Sequence, residues 1–194
     1  MVGVKIDSEH TCVSRKIQRH LSNKNINDER GKIMADVLIV VDMQNALNKM
    51  ANFDEIVSGI NDRIALYRQA KKSIFFVQTT DEEIPSDTEA FQLASSLDFK
   101  PQKDEFIVKT KPDAFYHTNL EAYLKTYSTN SVEICGGQAE YCVDTTIRIA
   151  NHLGYQVEVK RNLVTTFDSD LLDAQTIIKH HEAVWDGSFA KLLD

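Results

Sequence analysis

Five short aliphatic runs, each followed by a polar stretch of helical periodicity, constrain this 194-residue chain more than any other feature. Val37–Val41 is unbroken aliphatic, Ser73–Gln78 (SIFFVQ) and Phe106–Lys109 are largely apolar, and Val132–Cys135 and Tyr155–Val159 are short strand-like stretches interrupted by polar residues. An unbroken apolar run such as Val37–Val41 is expected of a strand buried on both faces. Between the first two, Ile56, Ile60, Ile64 and Tyr67 recur on one helical face, predicting a helix over residues 54–71. Further helices are expected at Asp87–Leu97 (short), after an N-cap at Thr118, at 142–152 with Gly154 as its C′ glycine, and at 169–181. A last short strand is expected within 183–193. Strand–helix alternation of this kind predicts a three-layer α-β-α, Rossmann-like domain around a six-stranded, mostly parallel sheet.

Bulk properties narrow the function classes. A net charge of −7 argues against a phosphate-coating surface, and so against nucleic acid as partner. The longest aliphatic run is far too short to span a bilayer, so no membrane partner is expected. Three cysteines (Cys12, Cys135 and Cys142) without metal-type spacing look like reduced thiols of a cytoplasmic protein. Residues 1–33 carry seven Lys/Arg against four acids, and Ser22–Lys32 is almost wholly polar. This lead is expected to be disordered or foreign to the natural chain, with Met34 opening the ordered domain of residues 34–194.

In open α/β sheets, ligands bind beyond the carboxyl ends of the strands. The residues at those ends are Asp42, Gln78, Lys109 and the Gly136–Cys142 turn. An acid, a cation and a thiol thus converge. Cys142 follows a Gly-Gly pair and starts a helix, whose dipole favours a thiolate; a lysine about 4 Å away would contribute about 4 kcal/mol more at an effective dielectric near 20. Its pKa is therefore expected below the free value of about 8.5. The competing reading, a structural buried thiol, suits Cys135 within its apolar strand. Asp42 can accept the thiol proton and return it to a leaving group. Lys109 is preferred over Lys111 as the cation because Pro112 draws Lys111 into the following loop.

Three runs carry a resemblance: VVDMQNAL at 40–47, KTKPDAFYHTNL at 109–120 and GGQAEYCVDTT at 136–146. In order and spacing they resemble the isochorismatase-like cysteine hydrolases, the group that includes nicotinamidases and N-carbamoylsarcosine amidases. Weaker support comes from residues 150–155 and from QTIIKHH at 175–181. The resemblance implies a catalytic triad of Asp42, Lys109 and Cys142 and a non-proline cis peptide at Gly137–Gln138. It also implies an oxyanion hole from the Gln138 and Cys142 amides, and a homo-oligomer, dimer or tetramer. Leu47 and Phe115 are the expected pocket walls, and Gln78 and Tyr141 the expected polar or aromatic contacts. Residues 78–96 lack the histidines with which nicotinamidases hold a metal, so no metal and no cofactor are expected. Leu47 and Ala139 stand where the family often has an aromatic residue and a Thr or Ser, which points away from nicotinamide. The expected function is cleavage of an amide-type C–N bond of a small molecule through a thioester. The alternatives are nicotinamidase or isochorismatase activity, or small-molecule binding without turnover.

Overall fold

The computed structural model describes residues 34–194, so the expected polar lead of residues 1–33 lies outside the described residues. Strands β1 (Val37–Val41), β2 (Ser73–Thr79), β3 (Glu105–Lys109), β4 (Ser131–Gly137), β5 (Gln156–Lys160) and β7 (Lys191–Leu193) pair in the order β3-β2-β1-β4-β5-β7. Every pairing is parallel. The two-residue strand β6 (Val164–Thr165) adds a short parallel pairing to the end of β4, opposite Gly136 and Gly137. The six expected strands are thus present, and the seventh is too short to leave a periodic signal.

Helices α1 (Phe53–Gln69), α2 (Leu120–Thr126), α3 (Asp144–His152) and α4 (Ala174–Trp185) connect them. Alternate strand residues serve opposite faces. Val37, Ile39, Val41, Phe75 and Val77 form one core with Leu120 and Leu124 of α2, Ile147 and Ala150 of α3, and Ile177 and Trp185 of α4. Leu38, Val40 and Phe76 are equally buried on the other parity, and α1 packs on β1, β2 and β4 through its buried stripe, Ile56, Ile60, Ile64 and Tyr67. The result is the three-layer α-β-α arrangement. Within the α1 layer, Glu133 of β4 is fully buried, with Arg63 Nε 2.7 Å from its Oε1 and the Tyr67 hydroxyl donating to its Oε2 at 3.0 Å.

Three local expectations are corrected. No helix forms at Asp87–Leu97, because the carbonyls of Ala90 and Gln92 accept from Ala46 and Asn45 N–H, and Ala94 N–H donates to Met43 O. A helix would need those backbone groups for itself. Helix α4 starts at 174 and not at 169: Asp173 is its N-cap, accepting from Thr176 N–H at 2.8 Å, while Ser169 Oγ closes a separate turn on Leu172 N–H at 3.0 Å. Thr118 Oγ1 does accept from Leu120 N–H at 3.2 Å, but the residue adjoining α2 is Asn119. Gly154, at φ +92°, ends α3 as expected.

Candidate active site

Strand order reverses its direction of winding at β1, so the carboxyl ends of β1 and β4 open the crevice where such sheets hold ligands. Gly136 lets these two strands end side by side. Its φ is +110°, and a Cβ there would lie 2.1 Å from Val41 O, against the residue that precedes Asp42. Asp42 itself has φ +51°, a left-handed conformation that aspartate tolerates better than most residues.

Beyond β4 the Gly137–Gln138 peptide is cis, as the resemblance implies. The chain then makes one π-turn, Ala139–Val143, in which Gln138 O accepts from Tyr141 N–H at 3.2 Å and Val143 N–H at 3.0 Å. Such turns recur at functional sites. Cys142 lies in this turn, two residues before α3 begins, so its sulfur is near the helix start without being part of it.

The three expected groups meet. Lys109 Nζ is 2.8 Å from Asp42 Oδ2 and 3.0 Å from Cys142 Sγ. The lysine side chain is fully buried and the aspartate only 1 % exposed, which leaves the pair no solvent to screen it. Burial alone would lower the Lys109 pKa, but the Asp42 charge and the hydrogen bonds to Asp42 and Cys142 outweigh it and hold it above the usual lysine value. Lys109 is therefore an ammonium at neutral pH. Lys111 is exposed.

One electrostatic expectation is overturned. The Cys142 thiol is pushed up to about 12, not down: burial is the largest cause, the Asp42 charge comes next, and Lys109 opposes both without prevailing. Losing the proton to solvent would leave two anions beside one cation in a desolvated place. The expectation from sequence rests on the two stabilising influences alone, the lysine and the helix dipole. Cys135 is wholly buried, and burial pushes its thiol well above the ordinary range, in keeping with a structural role.

Residues not singled out from sequence complete the site. Thr79, at the end of β2 and in register with Lys109, donates to Asp42 Oδ2 at 3.0 Å and accepts a hydrogen bond from Lys109 Nζ. Gln44, fully buried, donates to the carbonyls of Thr79 (3.0 Å) and Phe91 (2.8 Å) and accepts from Thr79 N–H (2.8 Å). A pair of threonines after a strand is an ordinary sequence, and only the strand register gives Thr79 its place.

The expected pocket residues divide. Leu47 is half-buried in the 3₁₀ turn Asn45–Leu47, and Tyr141, beside Cys142, is 55 % exposed. Gln78 is buried, and its amide donates to Phe91 O at 2.9 Å, which holds the 89–94 loop. Phe115 stacks on Tyr155 with ring centroids 6.3 Å apart and packs on the core. Among the described residues no three His, Cys, Asp or Glu side chains gather in a way that could hold a metal ion, and no helix is long and apolar enough to cross a membrane.

Comparison with known proteins agrees with this geometry. The family model of the isochorismatase domain matches residues 36–182. A crystal structure described as an isochorismatase family protein is 39 % identical, superimposes with a TM-score of 0.79, and covers 81 % of this chain and 97 % of its own. The isochorismatase family protein YrdC of Bacillus subtilis is 28 % identical over 80 % of this chain and 90 % of its own length. The nicotinamidase SaPncA of Staphylococcus aureus is 27 % identical, with a TM-score of 0.70 over 81 % of this chain and 96 % of its own. A domain match over most of the chain, on a sheet whose switch point holds a thiol, establishes that the chain belongs to the isochorismatase-like cysteine hydrolases and is a hydrolase of the kind that acts on carbon–nitrogen bonds.

Proposed function

We propose that this protein hydrolyses the amide-type C–N bond of a small molecule through an Asp42–Lys109–Cys142 triad and a thioester on Cys142. The observation that carries the reading is the position of Lys109 Nζ, 2.8 Å from the carboxylate and 3.0 Å from the sulfur. A buried ammonium in contact with both can hold either group as an anion while the proton moves between them.

The raised thiol pKa decides the order of events. Cys142 rests as a neutral thiol beside an Asp42–Lys109 ion pair. Transfer of its proton to Asp42 exchanges one buried anion for another, so the triad keeps its net charge and avoids the two-anion state. As the Sγ–C bond forms on the amide carbonyl, Asp42 takes the thiol proton. The oxyanion rests on the backbone N–H groups of Gln138 and Cys142. Collapse of this intermediate breaks the C–N bond, and the departing ammonia or amine leaves with the proton from Asp42. Water, deprotonated by Asp42, then adds to the thioester; the Sγ–C bond breaks, a carboxylic acid leaves, and the proton returns to sulfur. Leu47 and Tyr141 would line the acyl pocket.

Absence of histidine from residues 78–96, with Leu47 and Ala139 at their positions, favours an amide other than nicotinamide. Ammonia release from a panel of small primary amides, with benzamide and nicotinamide included, tests the reading. Turnover of at least one non-nicotinamide member, with a hydroxylamine-sensitive acyl adduct on Cys142 in rapidly quenched samples, is the expected result. No ammonia release from any member would contradict it.

A further inference from the structure

Thr79 lies in contact with two members of the proposed triad and has no role in the steps above. Its backbone is pinned on both sides by one side chain: Gln44 Oε1 accepts from its N–H at 2.8 Å, and Gln44 Nε2 donates to its carbonyl at 3.0 Å. Thr79 is β-branched and stiff about χ1, so its hydroxyl is held in place as well. A hydroxyl has one donor and two acceptor sites. Here the donor goes to Asp42 Oδ2 at 3.0 Å, and an acceptor site receives Lys109 Nζ.

The consequence falls on the carboxylate. Asp42 Oδ2 takes both the Lys109 ammonium, at 2.8 Å, and the Thr79 hydroxyl. Asp42 Oδ1 is buried and has no hydrogen-bond partner among the described residues. The two oxygens are therefore unequal: two donors occupy one, and the lone pairs of the other are left to receive a proton. A buried acceptor left unsatisfied is costly, and a catalytic role is one recognised reason for keeping it.

Building on the triad reading, we propose that Thr79 is a positioning residue: by bridging Lys109 Nζ and Asp42 Oδ2 it occupies that oxygen and reserves Oδ1 as the atom that exchanges the proton with Cys142 and the leaving amine. In the forward step the S–H bond breaks as an O–H bond forms at Oδ1; the electron pair of S–H becomes the nucleophile, and nothing is oxidised or reduced. Without the hydroxyl, the carboxylate can present either oxygen to Lys109, and the proton-carrying atom is no longer assigned.

The test uses steady-state ammonia release from the best-turned-over amide of the panel. Thr79→Val keeps the shape and removes the hydroxyl; it should lower kcat about tenfold to a hundredfold with KM altered less than about twofold, the pattern of an interaction needed only in the transition state. Thr79→Ser, which restores the hydroxyl, should stay within about threefold of wild type. Because Thr79 acts through Asp42, Thr79→Val should cause no further loss in an Asp42→Asn background. The inference is overturned if Thr79→Val keeps wild-type kcat, if Thr79→Ser is as impaired as Thr79→Val, or if the loss is equal in the Asp42→Asn background. Wild-type activity in Asp42→Asn alone, or in Cys142→Ala alone, would instead overturn the triad reading on which it stands.

Discussion

Lys109 donates to Cys142 Sγ at 3.0 Å, and the thiol is nevertheless held protonated, with its pKa pushed up to about 12. The ammonium is matched by Asp42, so the sulfur meets an ion pair and not a bare cation. Lys109→Met should therefore raise the thiol pKa further and slow alkylation by iodoacetamide at any fixed pH. Exposed Lys111→Met should leave the rate within about twofold, as surface charges contribute little. A larger effect from Lys111 would identify the wrong lysine here.

The same substitution has a stability signature. Removing Lys109 strands a carboxylate that is 1 % exposed, which costs about 3–5 kcal/mol in comparable buried pairs. Adding Asp42→Asn should restore much of that loss. Chemical denaturation of the two single variants and the double variant measures the coupling; additive losses would mean that the pair is not the source.

Asp42→Asn should separate acidity from catalysis. The Asp42 charge helps to hold the thiol up, so its removal should lower the pKa read from the pH dependence of alkylation. Amide hydrolysis should fall nonetheless by about a hundredfold or more, because nothing remains to protonate the leaving amine. Parallel loss of alkylation and hydrolysis would contradict the assigned role.

Much of the site is legible in the sequence because the fold puts it at strand ends. Asp42 and Lys109 each follow an unbroken apolar run, the turn holding Cys142 follows a mostly apolar strand, and parallel strands send all their carboxyl ends to one edge. What is not legible depends on register. Thr79 reaches Lys109 only because β2 and β3 pair Val77 with Ile107 and Thr79 with Lys109. Gln44 belongs to a recognisable run, yet its partners, Thr79 and Phe91, lie 35 and 47 residues away. The direction of the Cys142 shift escapes sequence reasoning for a different cause: burial depth dominates it, and a sequence does not display burial depth. The absent helix at Asp87–Leu97 is likewise a tertiary outcome, since residues 43–46 take up its backbone groups.

Glycines 136 and 154 share positive φ and should respond differently to alanine. At Gly154 no atom of the described residues lies within 4 Å of the added methyl, so only the backbone preference is lost, about 1 kcal/mol. At Gly136 the methyl would meet Val41 O at 2.1 Å, and the ends of β1 and β4 would have to part. Thermal melts should show a shift of a few degrees for Gly154→Ala and failure to fold, or loss of the site, for Gly136→Ala. Similar melting curves for both would show that the close approach does not matter.

Glu158 provides a test by pH. Its pKa is raised by burial and then by the neighbouring Glu133 charge, against Lys191, a backbone hydrogen bond at Ala35, and Arg63. The folded state thus binds this proton more tightly than the unfolded state. Its contribution is most favourable below the ordinary glutamate range and is lost as pH rises through the raised value. Glu158→Gln should flatten that part of the stability profile and stabilise the protein at neutral pH. An unchanged profile would place the titration elsewhere.

Whether Cys142 is the nucleophile is measured most directly by ammonia release from Cys142→Ala beside Cys135→Ala. Cys142→Ala should fold with a wild-type melting temperature and lose at least about a thousandfold in kcat. Cys135→Ala, which removes a fully buried thiol 3.7 Å from Ile39 O, should lower stability and keep turnover in the folded fraction. Retention of more than about a few per cent of wild-type kcat by Cys142→Ala would contradict the nucleophile assignment, since no covalent intermediate could then be required.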